Sequence, residues 1–130
     1  MKNKVLAVLI LSVSYLFAAP AFADNIIQIW ECQLHDGKTG ADAVAVSSTW
    51  LDAAKKIEGG EDFNVLLRFP IAANAGDDSF RFVLIAADAK TWGIWVDNSV
   101  LDADLPEAND AWNAVASCSG SSMWAGVPIE

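Results

Sequence analysis

The alternation of apolar and polar residues changes period along the chain, and each change marks an element. Residues 25–34, NIIQIWECQL, are β-branched and aromatic, with Ile26, Trp30, Cys32 and Leu34 mostly on one face and Ile27 and Ile29 on the other. This pattern predicts a strand. HDGKTG reads as a loop, and Thr39 with Asp42 three residues later is a capping-box-like helix start. From 41 to 57 the spacing of Ala43, Val46 or Ser47, Trp50, Ala54 and Ile57 is helical, and the glycines of EGGED stop the helix. Residues 63–71 alternate through Phe63, Val65, Leu67 and Phe69, which predicts a second strand. AANAGDDS is rich in turn residues. FRFVLIAA (80–87) predicts a third strand with both faces apolar. DAKTWGIWVDN (88–98) predicts a short, imperfect helix carrying Trp92 and Trp95. LPEANDAWNAVAS, opened by Pro106, predicts a better one. SSMWAGV (121–127) is the last, short strand.

The residues before 24 follow another pattern. MKNKVLAVLILSVSYLFAAPAFADN has a basic start at Lys2 and Lys4, an apolar stretch from Val5 to Ala19, and an A-x-A site at Ala21-Phe22-Ala23. This is the pattern of a cleaved secretory signal peptide spanning 1–23. The apolar stretch is shorter than the roughly 18–20 residues of a membrane span, and it carries Ser12, Ser14 and Tyr15. The expected location is therefore exported, periplasmic or secreted. Residues 24–130 then form a single domain of ordinary size. Only 6 of the 8 basic residues remain in it, against all 17 acidic ones, a net charge of −11. So acidic a chain repels nucleic acid and anionic lipid, and neither is an expected partner once the signal is removed. Six tryptophans are enough to build a dense core.

Export places Cys32 and Cys118, 86 residues apart, in an oxidising compartment, where two thiols normally pair. No C-x-x-C motif is present, and His35 is the one histidine, so a metal site lacks ligands and no metal is expected. A structural disulfide is predicted, bringing the segments around the two cysteines together. The order of elements, β-α-β-β-α-β, predicts an α+β, ferredoxin-like fold: a four-stranded antiparallel sheet with helices on one face. In that topology the first and last strands lie side by side in opposite directions. The end of one meets the start of the other, which is where the two cysteines fall. The middle strands are apolar on both sides, so the sheet face opposite the helices calls for a cover. A second copy of the chain, packed sheet to sheet, would provide it.

The element order, the GKT loop, the DAKTWGIW segment and the closing CSGSSMW together resemble the dimeric α+β barrel superfamily, in its branch of antibiotic-biosynthesis-monooxygenase-like domains. The resemblance covers nearly all of 24–130. It implies a homodimer with a pocket between each sheet and its helices. Some members of that group are cofactor-free oxygenases of aromatic polyketides or quinols, and others degrade haem. The haem-degrading members use a histidine on the second helical segment, and this chain has none there. The resemblance also places Trp92 and Trp95 on the segment that covers the sheet, as the wall of a pocket for an apolar or aromatic small molecule.

The residues offer few chemical groups. His35 beside Asp36 is the candidate general acid or base, although its polar surroundings also fit an exposed loop. Trp92 and Trp95, at i, i+3 spacing, fit either a pocket wall or the core. Arg68, between Leu67 and Phe69, fits an anchor for an anionic ligand or one half of an ion pair, and Arg81 has the same two readings. Asp97, Asp102, Asp104 and Glu107 match no EF-hand spacing and read as a solvated acidic loop. The serines of SCSGSS lie in no G-x-S-x-G elbow and read as turn residues. Two functions are expected. One is an exported small-ligand-binding or interaction domain. The other is a cofactor-free monooxygenase acting on a quinol or hydroxyaromatic substrate, which needs a basic or hydrogen-bonding group beside an acidic phenol or carbon. No cofactor is expected in either.

Overall fold

The computed structural model describes residues 25–71 and 78–126. The predicted signal peptide and most of the AANAGDDS loop lie outside the described residues. Seven elements follow in order: β1 (Asn25–Leu34), α1 (Gly40–Ala54), β2 (Asn64–Arg68), β3 (Ser79–Ala86), α2 (Ala89–Ser99), α3 (Leu105–Asn113) and β4 (Ala116–Gly126). The strands form one antiparallel sheet in the order β2-β3-β1-β4. This is the ferredoxin-like α+β arrangement expected from the element order, with its second helical segment divided into α2 and α3.

The start of α1 follows from its capping residues. Thr39 Oγ1 accepts from the Asp42 N–H at 3.3 Å, and Asp42 Oδ2 accepts from the Thr39 N–H at 2.8 Å. The helix ends at Ala54, earlier than the apolar spacing predicts. Ile57 keeps its place in the core at 5% exposure, but from a turn closed by Gly59 and Gly60. Gly59 has φ 92°, and a Cβ on Gly60 would collide with the Ala54 carbonyl oxygen and lie 2.7 Å from Trp95 Cδ1. Only a residue without a side chain lets α2 pack this close to the end of α1.

The helices cover one face of the sheet. Ile26, Trp30, Cys32 and Leu34 of β1, Val65 and Leu67 of β2, and Phe80, Phe82, Leu84 and Ala86 of β3 meet Ala43, Ala54, Phe63, Trp112 and Val115 in one core. Phe82 is at its centre. Its ring meets Trp30, Trp50 and Trp112 edge-on, with centroids 5.5, 5.4 and 5.6 Å away.

Two strands differ from their predicted extents. β2 ends at Arg68 because Pro70 has no N–H to give the ladder. β4 starts at Ala116, well before the predicted 121, so SCSGSS is strand and not turn. The register passes from Trp30 opposite Ser121 to Glu31 opposite Ser119, leaving Gly120, with φ 70°, as the extra residue of a β-bulge. Without that bulge a one-residue slip would turn Cys118 to the wrong face. With it, Cys118 stands directly opposite Cys32, and the two are joined at an S–S distance of 2.04 Å.

The same register defines the other sheet face. At one end Leu66, Val83, Ile29 and Ile27 with Trp124, and Ile85 beside them, make an apolar surface across the strands. At the other end Arg68, Arg81, Glu31 and Ser119 form one polar row across all four strands.

Candidate functional site

A cavity of about 390 Å³ opens between the helices and the sheet, lined by Trp30, Trp50, Phe82, Asn109, Trp112, Asn113 and Cys118. Its walls come from five elements. Trp30 and Phe82 belong to the inner face of β1 and β3, Trp50 to α1, the asparagines and Trp112 to α3, and Cys118 to β4. Helical spacing puts Asn109, Trp112 and Asn113 on one side of α3. Trp112 is fixed by its ring contacts and by donating its Nε1–H to Ser47 Oγ at 3.0 Å. Trp50 donates its Nε1–H to Asn109 Oδ1 at 2.8 Å, which holds the Asn109 amide in one orientation. With its oxygen occupied, Asn109 presents its Nδ2–H₂ as a donor. Asn109 and Asn113 are exposed and mark the mouth, whereas the interior is aromatic. Such a site suits a flat apolar body with one oxygen at the rim.

The residues singled out in the sequence are dispersed. Trp92 and Trp95 line neither this cavity nor a second one at the end of the sheet. Trp92 donates to Gln28 Oε1 at 3.3 Å, and Trp95 donates to the Ala54 carbonyl oxygen at 3.1 Å. Trp95 also tilts against Trp50 at 5.9 Å, a layer behind the cavity wall. His35 is an exposed loop residue whose backbone N–H donates to the Val115 carbonyl oxygen at 2.9 Å, and it lines neither cavity. Arg68 and Arg81 line the second cavity. Among the acidic residues, Asp102 Oδ1 accepts from the N–H groups of Asp104 and Leu105 at 2.9 and 2.8 Å, organising the start of α3. No group of three or more His, Cys, Asp or Glu able to hold a metal occurs among the described residues. No periodic signal marks Asn109 and Asn113, which sit in the polar run EANDAWN.

No protein-family model matches the sequence, and no curated protein matches it. Solved structures do match in fold. One is SnoaB, a cofactor-independent oxygenase from Streptomyces nogalater, with TM-score 0.55 and 11% identity over 82% of this chain and 97% of that one. A mutant form of SnoaB gives a TM-score of 0.54 and 13% identity over 78% and 92%. A conserved Bacteroides thetaiotaomicron protein of unknown function, a possible oxidoreductase, gives 0.52 and 10% identity over 79% and 98%. At these identities the likeness is one of fold: the chain shares its α+β architecture with these proteins.

Proposed function

We propose that the protein is an exported small-ligand-binding domain of the dimeric α+β barrel type, holding a planar aromatic or apolar molecule in the cavity under α1 and α3. The observation that carries this reading is the wall of three tryptophans and Phe82 with an oriented amide donor at its mouth. A volume of about 390 Å³ lies within the range of small-molecule sites. Aromatic walls would stack on a ring, and the Asn109 amide would donate to a hydroxyl or carbonyl oxygen. The Cys32–Cys118 disulfide supports export. No described helix is long and apolar enough to cross a membrane. The apolar half of the free sheet face supports a homodimer packed sheet to sheet, since Leu66 and Trp124 are otherwise 49% and 60% exposed.

A second reading, a cofactor-free monooxygenase of a quinol or hydroxyaromatic, draws support from the fold shared with SnoaB and from the same amides. Asn109 and Asn113 would stabilise a phenolate by hydrogen bonding, the charged form in which such a substrate gives up electrons to oxygen.

One pair of measurements separates the readings. Tryptophan fluorescence is titrated with 2-naphthol, and oxygen uptake is followed with 1,4-dihydroxynaphthalene. Saturable quenching, weakened about tenfold by Asn109→Ala at unchanged melting temperature, is the result expected of a binding site. Oxygen uptake above the buffer rate that Asn109→Ala abolishes would favour the oxygenase. The absence of saturable quenching would overturn both.

A further inference from the structure

The chain has only two arginines, Arg68 and Arg81, and the fold sets them directly opposite each other on β2 and β3. Directly opposed residues of antiparallel strands have Cβ atoms about 4.5–5.5 Å apart, and like charges there are destabilising. Nothing among the described residues offsets the pair fully. Arg68 makes no ion pair or side-chain hydrogen bond among them. Arg81 donates through Nη2 to Glu31 Oε1 at 3.5 Å, an exposed contact at the limit of hydrogen-bond length. Both arginines line the second cavity, of about 750 Å³. Among the described residues, Glu31 is the only carboxylate in that lining. Ser117 and Ser119 add hydroxyl donors from β4, while Pro70 adds apolar surface beside Arg68. Two cations thus converge on one concave site in a protein otherwise strongly acidic.

We infer that this cavity is a second binding site, for a small organic carboxylate with an aromatic or apolar body. The planar forks of Arg68 and Arg81 match a carboxylate, which would relieve their mutual repulsion by lying between them. Pro70, beside Arg68 in the lining, would pack against the apolar body of the ligand. Glu31 competes with the ligand for Arg81. The inference is independent of the aromatic cavity under the helices, with which this site shares only the Cys118 wall.

The test is calorimetric titration of the oxidised protein with sodium benzoate, at an ionic strength held constant with sodium chloride, with sodium phosphate titrated in parallel. Saturable binding of one benzoate per chain is expected. Arg68→Gln and Arg81→Gln should each weaken it by about tenfold or more. Glu31→Gln should tighten it, because the competing carboxylate is gone. All three side chains are exposed, so these variants keep the fold. Benzoate binding unaffected by Arg68→Gln, binding weakened by Glu31→Gln, or phosphate bound as tightly as benzoate would each overturn the assignment.

Discussion

Trp112 shows how one residue serves both core and cavity. It is 8% exposed, packs against Phe80 and Phe82, and supplies the hydrogen bond that satisfies Ser47, itself 4% exposed. Trp112→Phe keeps most ring contacts but removes the donor, so it should lower stability by roughly 1–3 kcal/mol in urea denaturation. Trp112→Ala should lower it by about 3–5 kcal/mol. Adding Ser47→Ala to the phenylalanine variant should recover some of the loss, because the buried hydroxyl no longer lacks a partner. At this scale the sequence was informative about some residues and silent about others. Cys32 and Cys118 were legible because covalent pairing in an oxidising compartment depends on little besides their number. The cavity wall was not. Trp92 and Trp95 drew attention because they are neighbours on one short segment. The cavity under α1 and α3 gathers Trp30, Trp50 and Trp112 from three elements, each of which reads as ordinary core by its own local spacing. Proximity of that kind is created by tertiary packing and leaves no local pattern.

Among the elements, the start of α1 was the most legible, through the Thr39–Asp42 spacing, and the structure adds a similar cap at α2. Thr39 with Asp42 at α1 and Asp88 at α2 place an acceptor where unpaired N–H groups need one. Both carboxyls lie below their ordinary pKa of 3.8 as a result. For Asp42 the main cause is the Thr39 hydroxyl, followed by the Thr39 backbone N–H. For Asp88 it is the Thr91 backbone N–H, followed by its hydroxyl. A lowered folded-state value means that, as pH falls, the unfolded chain binds these protons first. The caps therefore contribute fully above pH 3.8 and lose their effect as pH falls through the lower, folded-state values. Denaturation midpoints followed through this window should fall more steeply for the wild type than for the double variant Asp42→Asn, Asp88→Asn, whose amides do not titrate. The start of β4 was less legible, for a physical reason. It is an edge strand with most of its residues exposed, so nothing requires it to alternate apolar and polar residues. Serines that would signal a turn between two buried strands are compatible with a half-solvated edge. Gly120 marks the bulge inside it and not the end of it.

At the scale of the whole molecule, the disulfide and the free sheet face govern what the fold does. Closing an 86-residue loop should stabilise the protein by roughly 4–5 kcal/mol in the chain-entropy model. Cys32→Ser, Cys118→Ser should show a loss of up to that size in chemical denaturation, and added reductant should affect only the wild type. The proposed homodimer predicts twice the chain mass by light scattering at micromolar concentration. Leu66→Glu should shift it toward monomer, because a charge would then lie within the apolar half of the sheet face; a wild-type monomer would refute the dimer. The placement of the disulfide has a mechanical consequence as well. Asn25 and Gly126 pair at one end of the β1–β4 ladder, and the cross-link lies toward the other. Tension on these two ends would act across the strands, so the rungs would break in succession, as a zip opens, instead of resisting together. The opening would run through the bulge and halt at Cys32 and Cys118. Among the described residues, every helix and both remaining strands lie between the two cysteines in sequence, inside a loop that carries no load while the sulfurs stay joined.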